Sequence, residues 1–545
     1  MNGADLVARI LAREGVDILP AFPHSDLIDS AAKVGIRPVI VRQERQALHI
    51  ADGYARVTGG RRIACTTVQY GPGSENAFGA VAQCHADNVP VLHIPFGYDR
   101  MRQPLDSHFQ ASQSMQHVAK WCAMVPDVER IPQMMQNAFA MLRNGRPGPV
   151  VLEVPKDVAN TTVDPRLEES YRPQKASRPV AADAEIREVL ACLRKASSPV
   201  IVAGQGILYA GASQALTAFA ESTGIPVLTT LNGKSAFPEN HPLSLGCAGR
   251  TRRGEAAHFL SKSDLVLGLG TSFTRSEYIT PFPTRHRCFI QLTNWEGDVS
   301  KDYPVDIGII GDARATLERM VEILGKDPGA RRDSVAGEVA GRRKAFMDSW
   351  QPRLQSDEVP ISPYRIIHDL MMTVDRETTI VTHDAGSPRD QMTAFYETLV
   401  PHGYIGWGKT TQLGLGLGLV QGARLARPHH HCINIMGDAA IGMVGMDLET
   451  SVRNRLATIT IVLKNAVMGG YVDHHPVAAR DYRIHQLGGD YADVAAALGA
   501  HAERVSAPGD FVPALERALA LTDRPALIEV ISSEEKHFAD DPVEG

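Results

Sequence analysis

The sequence predicts an α/β protein built of three doubly wound parallel-sheet domains. Three observations predict it. Short apolar, β-branched runs alternate along the whole chain with longer stretches of helical periodicity, the pattern of βαβ units. Those runs are apolar at consecutive positions rather than alternate ones, as in parallel strands covered on both faces. Two stretches rich in proline and charge, 163–184 and 350–362, read as linkers and leave segments of similar size. The expected domains are therefore 1–165, 185–345 and 360–535.

Each segment carries its own strands. In the first, a strand ends near Ala21 and others span 39–41, 63–68, 91–94 and 150–154. The second holds 200–203, 227–229, 265–269 and 289–292, and the third 379–382, 433–436, 459–463 and 527–531. No short repeat or low-complexity tract interrupts them.

Composition narrows the class. The 545 residues are 44% apolar and 22% charged, ordinary for globular protein and enough for about three or four domains. A net charge of -6 offers no basic field for nucleic acid and no polybasic tail for a membrane. The start, MNGADLVARILAREG, lacks the pattern of a signal peptide, and no apolar run is long enough to span a bilayer. Seven dispersed cysteines without a CxxC pair argue against a disulfide frame or zinc knuckle and for a reducing cytoplasm.

The most informative stretch is 434–471. An apolar strand ends in Gly437-Asp438-Ala439-Ala440, and a helix starts within a few residues. Small residues at such a turn let backbone N–H groups approach an anion, and Asp438 supplies a hard oxygen for Mg²⁺. A second apolar strand ends in Lys464-Asn465, and Asn465 follows Asp438 by 27 positions, room for one crossover helix. Both side chains then stand at the carboxyl ends of neighbouring parallel strands, where α/β folds place ligands.

Here the chain resembles the thiamine-diphosphate (ThDP) enzymes, whose signature is GDG, about two dozen residues, then NN, closed on a divalent metal. The resemblance implies that Asp438 and Asn465 ligate Mg²⁺ by side chains and Val467 by its carbonyl. Gly437, Ala439 and Ala440 would line the diphosphate. Ala439 stands where the family has Gly, and Lys464 where it has the first Asn, which puts a cation near the diphosphate.

The run 39–59, VIVRQERQALHIADGYARVTG, resembles the family stretch R-x-E…A-x-GYAR-x-TG. There the glutamate, Glu44 in this chain, hydrogen-bonds N1′ of the aminopyrimidine and so helps N4′ take the proton from C2. A carboxylate shielded against an apolar wall suits that exchange. An exposed Glu paired with Arg42 or Arg45 is the plain alternative. The stretch 66–79, TTVQYGPGSENAFG, resembles the family's SGPGATN turn, with Gly71 and Gly73 set close to the cofactor. Phe109-Gln110 and RPGPVVLEVPKDV at 146–158 resemble the acetolactate synthase branch, and place Gln110 at the substrate mouth.

In the third segment, THDAGSPRDQM at 382–392 resembles the diphosphate-side turn, with Gly386 and Ser387 as contacts and Pro388-Arg389-Asp390 as a small insertion. In GWGKTTQLGLGLGLVQGARLA at 406–426, Leu413 would hold the cofactor bent, and the Thr411 carbonyl would accept from N4′. The Gly/Leu alternation is equally that of a close-packed helix. On the substrate side, His24, Ser25 and Asp26 follow the first strand, with Ser25 and His24 candidates to relay a proton. A helix cap is the alternative for Ser25 or Asp26. His474-His475 and His429–His431 read as exposed.

The resemblance implies a pyrimidine-binding domain first, a middle domain, then a diphosphate domain. In the family Glu44 of one subunit meets the diphosphate domain of another, so a homodimer or homotetramer is expected. The middle domain has a glycine turn after a strand at 199–212, but GTSFTRSEYI at 270–279 departs from the family's FAD-contacting stretch, so FAD is not favoured. The implied function is cleavage or formation of the C–C bond beside the carbonyl of a 2-oxo acid. The alternatives are a 2-hydroxyacyl-CoA lyase or oxalyl-CoA decarboxylase type, a flavin-linked oxidase, and an inactive ThDP-binding paralogue.

Overall fold

The computed structural model describes residues 1–102, 105, 107–326 and 332–544. Its strands form three parallel sheets with helices between them, the predicted doubly wound architecture. All thirteen expected strands are present, within a few residues of their expected limits. Strands at Trp121–Met124, Ser244–Ala248, Ile307–Ile310, Tyr404–Ile405 and His501–Val505 were not anticipated. Several of these are edge strands, short or part-exposed, where the apolar signal weakens.

Across the first sheet the strands run Arg37–Ile40, Ile18–Ala21, Cys65–Thr66, Leu92–His93, Val150–Pro155, Trp121–Met124, with Ala21 bridged to Thr67 where the two halves meet. Phe96–Gly97 continues Leu92–His93 beyond Pro95, and both pieces pair with Val150–Pro155. The last sheet runs Tyr404–Ile405, Thr379–His383, His431–Gly437, Thr458–Lys464, Ala526–Ile531, His501–Val505. Counted along the chain, first and last sheets share the order 2-1-3-4-6-5. The middle sheet instead has the order 3-2-1-4-5-6, from Ser244–Ala248 at one edge to Ile307–Ile310 at the other. Two of the three units are thus alike in topology, and the third differs.

The expected linker at 350–362 is shorter than its composition suggests. The helix Val335–Leu354 runs through its first residues, with Pro352 in the last turn. Its Val339 joins the core of the middle unit, while Phe346 and Leu354 join that of the last unit. Amphipathic burial against two cores outweighs the hydrogen bond that Pro352 forgoes. Beyond Ile531 the chain returns to the middle unit, where Arg252 N–H donates to the Ala539 carbonyl at 2.7 Å.

First and last units meet through two helices, Glu44–Val57 and Leu415–Ala426. Glycines make the approach close. A Cβ at Gly53 would stand 2.2 Å from the Leu419 carbonyl oxygen, and one at Gly422 only 2.0 Å from that of Ile50. Gln46 and Gln421 hydrogen-bond across this buried seam at 2.8 Å. The Gly/Leu alternation is therefore a packing device from Leu415 onward, while Thr411 and Leu413 lie in the loop before the helix.

Candidate functional site

The carboxyl ends of the last sheet bring Asp438 and Asn465 together. Strands His431–Gly437 and Thr458–Lys464 are parallel neighbours, with Gly437 opposite Leu463. Asp438 opens the helix Asp438–Val444 and is 3% exposed. Its Oδ1 accepts from the Ala439 N–H at 2.9 Å and its Oδ2 from the Ala466 N–H at 2.8 Å, tying the two strand ends. Burial raises its carboxyl above the ordinary value, and those N–H groups pull the other way. Asn465 Oδ1 accepts from the Val467 N–H at 3.1 Å, in a turn that Ala466 shapes with φ +60.

Facing these are Gly386, with φ +82, and Ser387, which begins the helix Ser387–Phe395. A Cβ at Gly386, Gly437 or Gly470 would meet nothing within 4 Å, so three turns present bare backbone to open space. Among the described residues no three His, Cys, Asp or Glu side chains gather as a metal cage. One carboxylate, one amide oxygen and a ring of backbone groups suit a hard divalent ion whose remaining ligands come from an anionic ligand and water. The residues fit a metal-held diphosphate.

Pro388, Arg389 and Asp390 lie in the first turn of the helix Ser387–Phe395, where proline suits the start of a helix. One expectation changes here, that for Lys464. Lys464 is not a cation turned to the diphosphate. Its ammonium pairs with the buried Glu529 at 2.7 Å and with Asp490 at 3.1 Å, on the neighbouring strand and the next loop. Burial lowers its pKa, but these two carboxylates outweigh it and leave it raised.

Asp384 escaped the sequence reading. It is fully buried and accepts from the N–H groups of Ala385, Gly414 and Gly416 at 2.8, 2.9 and 2.9 Å. It thereby fixes the turn after Leu413. Burial pushes its carboxyl up to about 6 against the pull of the three N–H groups. Its sequence signal was position, one residue before the quoted Ala385-Gly386 turn. His383 is a core residue, stacked on Trp407 at 5.3 Å, and burial lowers its pKa to about 3. Thr411 and Leu413 are half-buried. The loop that carries them is pinned to the first unit, where Gln412 Oε1 bonds His49 Nε2 at 3.1 Å and Thr410 bonds Gln83.

Glu44 is the first residue of its helix, four positions beyond the strand end at Ile40, and is 7% exposed. Its Oε2 accepts from Asn76 Nδ2 at 3.0 Å. Its Oε1 lies 3.5 Å from where a Cβ on Gly73 would stand, so Gly73 leaves room for the carboxylate. Arg42 turns away to Glu449 and Arg45 to the Met443 carbonyl, and neither pairs with Glu44. Gly71, with φ +62, caps the helix Pro72–Ala86. Asn76, missed in the sequence, sat inside the quoted GPGSEN run.

Ser25 holds the N-cap position of the helix Asp26–Lys33 without capping it. Its hydroxyl instead meets that of Thr67 at 2.8 Å. Asp26 accepts from Asn160 at 3.3 Å. His24 is exposed with φ +80. Gln110 precedes the short helix Ala111–Ser114 and lines an open cavity with Glu75, His108 and Phe109. His474 and His475 are exposed, as are His429 and, in part, His430 and His431.

The middle sheet has a cavity of about 580 Å³ at its carboxyl edge. Gly204 and Gly206 after the central strand, Gly270–Thr274 and Gly311–Ala313 border it, with Arg61, Arg146 and Lys175 at its rim. It lies where strand order reverses between Pro199–Ala203 and Leu265–Leu269, the usual ligand crevice of such sheets.

Three family models match successive stretches of the chain. Residues 1–119 match the model of the thiamine pyrophosphate enzyme N-terminal TPP binding domain. Residues 186–320 match the central domain and 384–530 the C-terminal TPP binding domain. The chain is 30% identical over 492 residues to an acetolactate synthase large subunit of Buchnera aphidicola, covering 86% of this chain and 83% of that protein. It is 28% identical over 557 residues to a probable acetolactate synthase large subunit of Methanococcus aeolicus, covering 97% and 92%. It is also 28% identical over 565 residues to a glyoxylate carboligase of Escherichia coli, covering 97% and 93%.

Proposed function

Because the chain belongs to the thiamine pyrophosphate enzymes, in their acetolactate synthase-like branch, we propose that it is a ThDP- and Mg²⁺-dependent enzyme acting on 2-oxo acids. It breaks or makes the C–C bond beside the carbonyl, by decarboxylation, carboligation or both. The observation that carries this reading is the joint placement of Asp438 and Asn465 on neighbouring strand ends before open glycine turns.

Asp438, Asn465 and the Val467 carbonyl would hold Mg²⁺. Gly386, Ser387, Gly437, Ala439 and Ala440 would bind the diphosphate. Leu413 and the Thr411 carbonyl would set the bend of the cofactor, with Asp384 fixing that loop, and Gly71 and Gly73 would border the aminopyrimidine. Bound ThDP would supply a nucleophilic carbon and a sink for the electron pair of the bond that is broken. Glu44 would exchange a proton with the aminopyrimidine through Oε1, while Asn76 keeps Oε2 in place. Ser25 and His24, on one loop, and Gln110 would handle protons and polar groups of the substrate. Assembly as a homodimer or homotetramer in the cytoplasm fits this reading. The exposed Met443 and Met446, beside the Asp438 turn, are apolar surface for a second subunit to cover.

Carbon-dioxide release from a panel of 2-oxo acids tests the proposal. Release that requires both ThDP and Mg²⁺ supports it. No release from any acid, with ThDP bound, leaves only the CoA-substrate or inactive alternatives.

The middle cavity favours a second, narrower reading. Its size and glycine turns suit a nucleotide portion, such as that of CoA. CoA-dependent turnover would mark it, and a yellow purified protein would mark FAD instead.

A further inference from the structure

A row of rings stands beside the proposed reaction site. His24 meets Tyr70 edge-on with centroids 5.8 Å apart, and Tyr70 meets Tyr98 at 4.8 Å. Tyr98 stacks flat on His108 at 3.8 Å and 6°. The row is fixed at its middle, because the Tyr98 hydroxyl occupies the space a side chain on Gly71 would need. Its His24–Tyr70 end opens into a cavity of about 510 Å³, bordered also by Ser25, Ile40, Phe96 and Lys156. Pockets for small ligands have this size.

Two features say that the cavity is built for a ligand. His24 has φ +80, a strained backbone of the kind that clusters at ligand-binding loops. The second is Lys156. Its ammonium lies 6.0 Å from the centroid of the Tyr70 ring and forms no ion pair among the described residues. The two acids on the same cavity are otherwise engaged, Asp29 with Lys33 at 2.7 Å and Asp26 with Asn160. A cation and an aromatic wall thus face one space.

Two residues of the cavity lie a few positions along the chain from the reacting region. Tyr70 directly precedes Gly71–Gly73, whose turn packs on Glu44, and Ile40 ends the strand that leads to Glu44. A carboxylate paired with an ammonium is stabilised before reaction and resists leaving as carbon dioxide. Lys156 therefore suits an acid whose carboxylate survives.

We propose that this cavity receives the acceptor substrate of a carboligation, an aryl-bearing oxo acid whose carbonyl carbon takes the new C–C bond while its oxygen takes up a proton, with the ring against Tyr70 and His24 and the carboxylate on Lys156. The inference rests on the ThDP carboligase reading above and assigns its second substrate class.

The test is calorimetric binding of phenylacetate and of acetate, two acids that cannot react, to the full chain with and without ThDP and Mg²⁺. Phenylacetate should bind more tightly than acetate. Lys156→Met should weaken phenylacetate by about tenfold, and Lys156→Arg should restore it. Tyr70→Ala should erase the preference for phenylacetate over acetate. Because Lys156 is exposed, unchanged thermal melting of its variants separates lost binding from lost fold. Equal affinity in wild type and Lys156→Met, or no preference for the aryl acid, overturns the proposal. Failure of the chain to bind ThDP would overturn the carboligase reading instead, and phenylacetate binding to the cofactor-free chain still judges the pocket.

Discussion

At the scale of single residues, carboxylates divide the work by their surroundings. Glu44 is shielded and steered by one amide, Asn76, with an oxygen left toward Gly73. Glu44→Gln should leave ThDP bound but slow exchange of its C2 proton about 10²- to 10⁴-fold, as read by NMR. Exchange at the wild-type rate would remove Glu44 from the mechanism. Asp384 does a different task, since three N–H groups converge on it and favour its ionised form. Its carboxyl sits at about 6, above the ordinary 3.8. A raised carboxyl favours the folded state at low pH, and that contribution is lost as pH rises through about 6. The loop order it supports runs the opposite way, because protonation below about pH 6 weakens the grip on Gly414 and Gly416. ThDP affinity, measured from pH 8 to pH 5, should therefore fall on the acid side more steeply in wild type than in Asp384→Asn. Parallel profiles would contradict this role. Asp438, Asn465 and Glu44 were legible in the sequence because their chemistry travels with short motifs. Asp384 and Asn76 lay inside the same quoted runs but act through backbone and side-chain partners distant in sequence, which no local pattern records.

At the scale of elements, the strands were legible because parallel strands buried on both faces are apolar at every position. The edge strand Tyr404–Ile405 is too short to show that mark and His501–Val505 is part-exposed and lacks it, and the helix Val335–Leu354 ran on through a stretch whose composition looked like a linker. The seam between Glu44–Val57 and Leu415–Ala426 shows why glycine recurs there. Gly53→Ala places a methyl group against the Leu419 carbonyl and should cost about 1–3 kcal/mol by denaturant unfolding. Gly337→Ala, in open space on the helix Val335–Leu354, is the control and should be stabilising by about 0.5–1 kcal/mol. Equal effects of the two substitutions would deny the seam its close packing.

At the scale of the molecule, three similar sheets were foreseeable, but strand order was not. Periodicity reports which residues are buried and not which strand lies beside which. Only the pairings separate the like first and last sheets from the middle one, with its reversal of order beside the cavity of about 580 Å³. The account of the whole rests on a metal-held diphosphate at the ends of two strands of the last sheet. Its most direct test is calorimetric titration of the dialysed protein with ThDP, with and without Mg²⁺, beside the Asp438→Ala variant. The account predicts binding by the wild type that requires Mg²⁺ and is lost in the variant. Binding indifferent to the metal, or undiminished in Asp438→Ala, would contradict it.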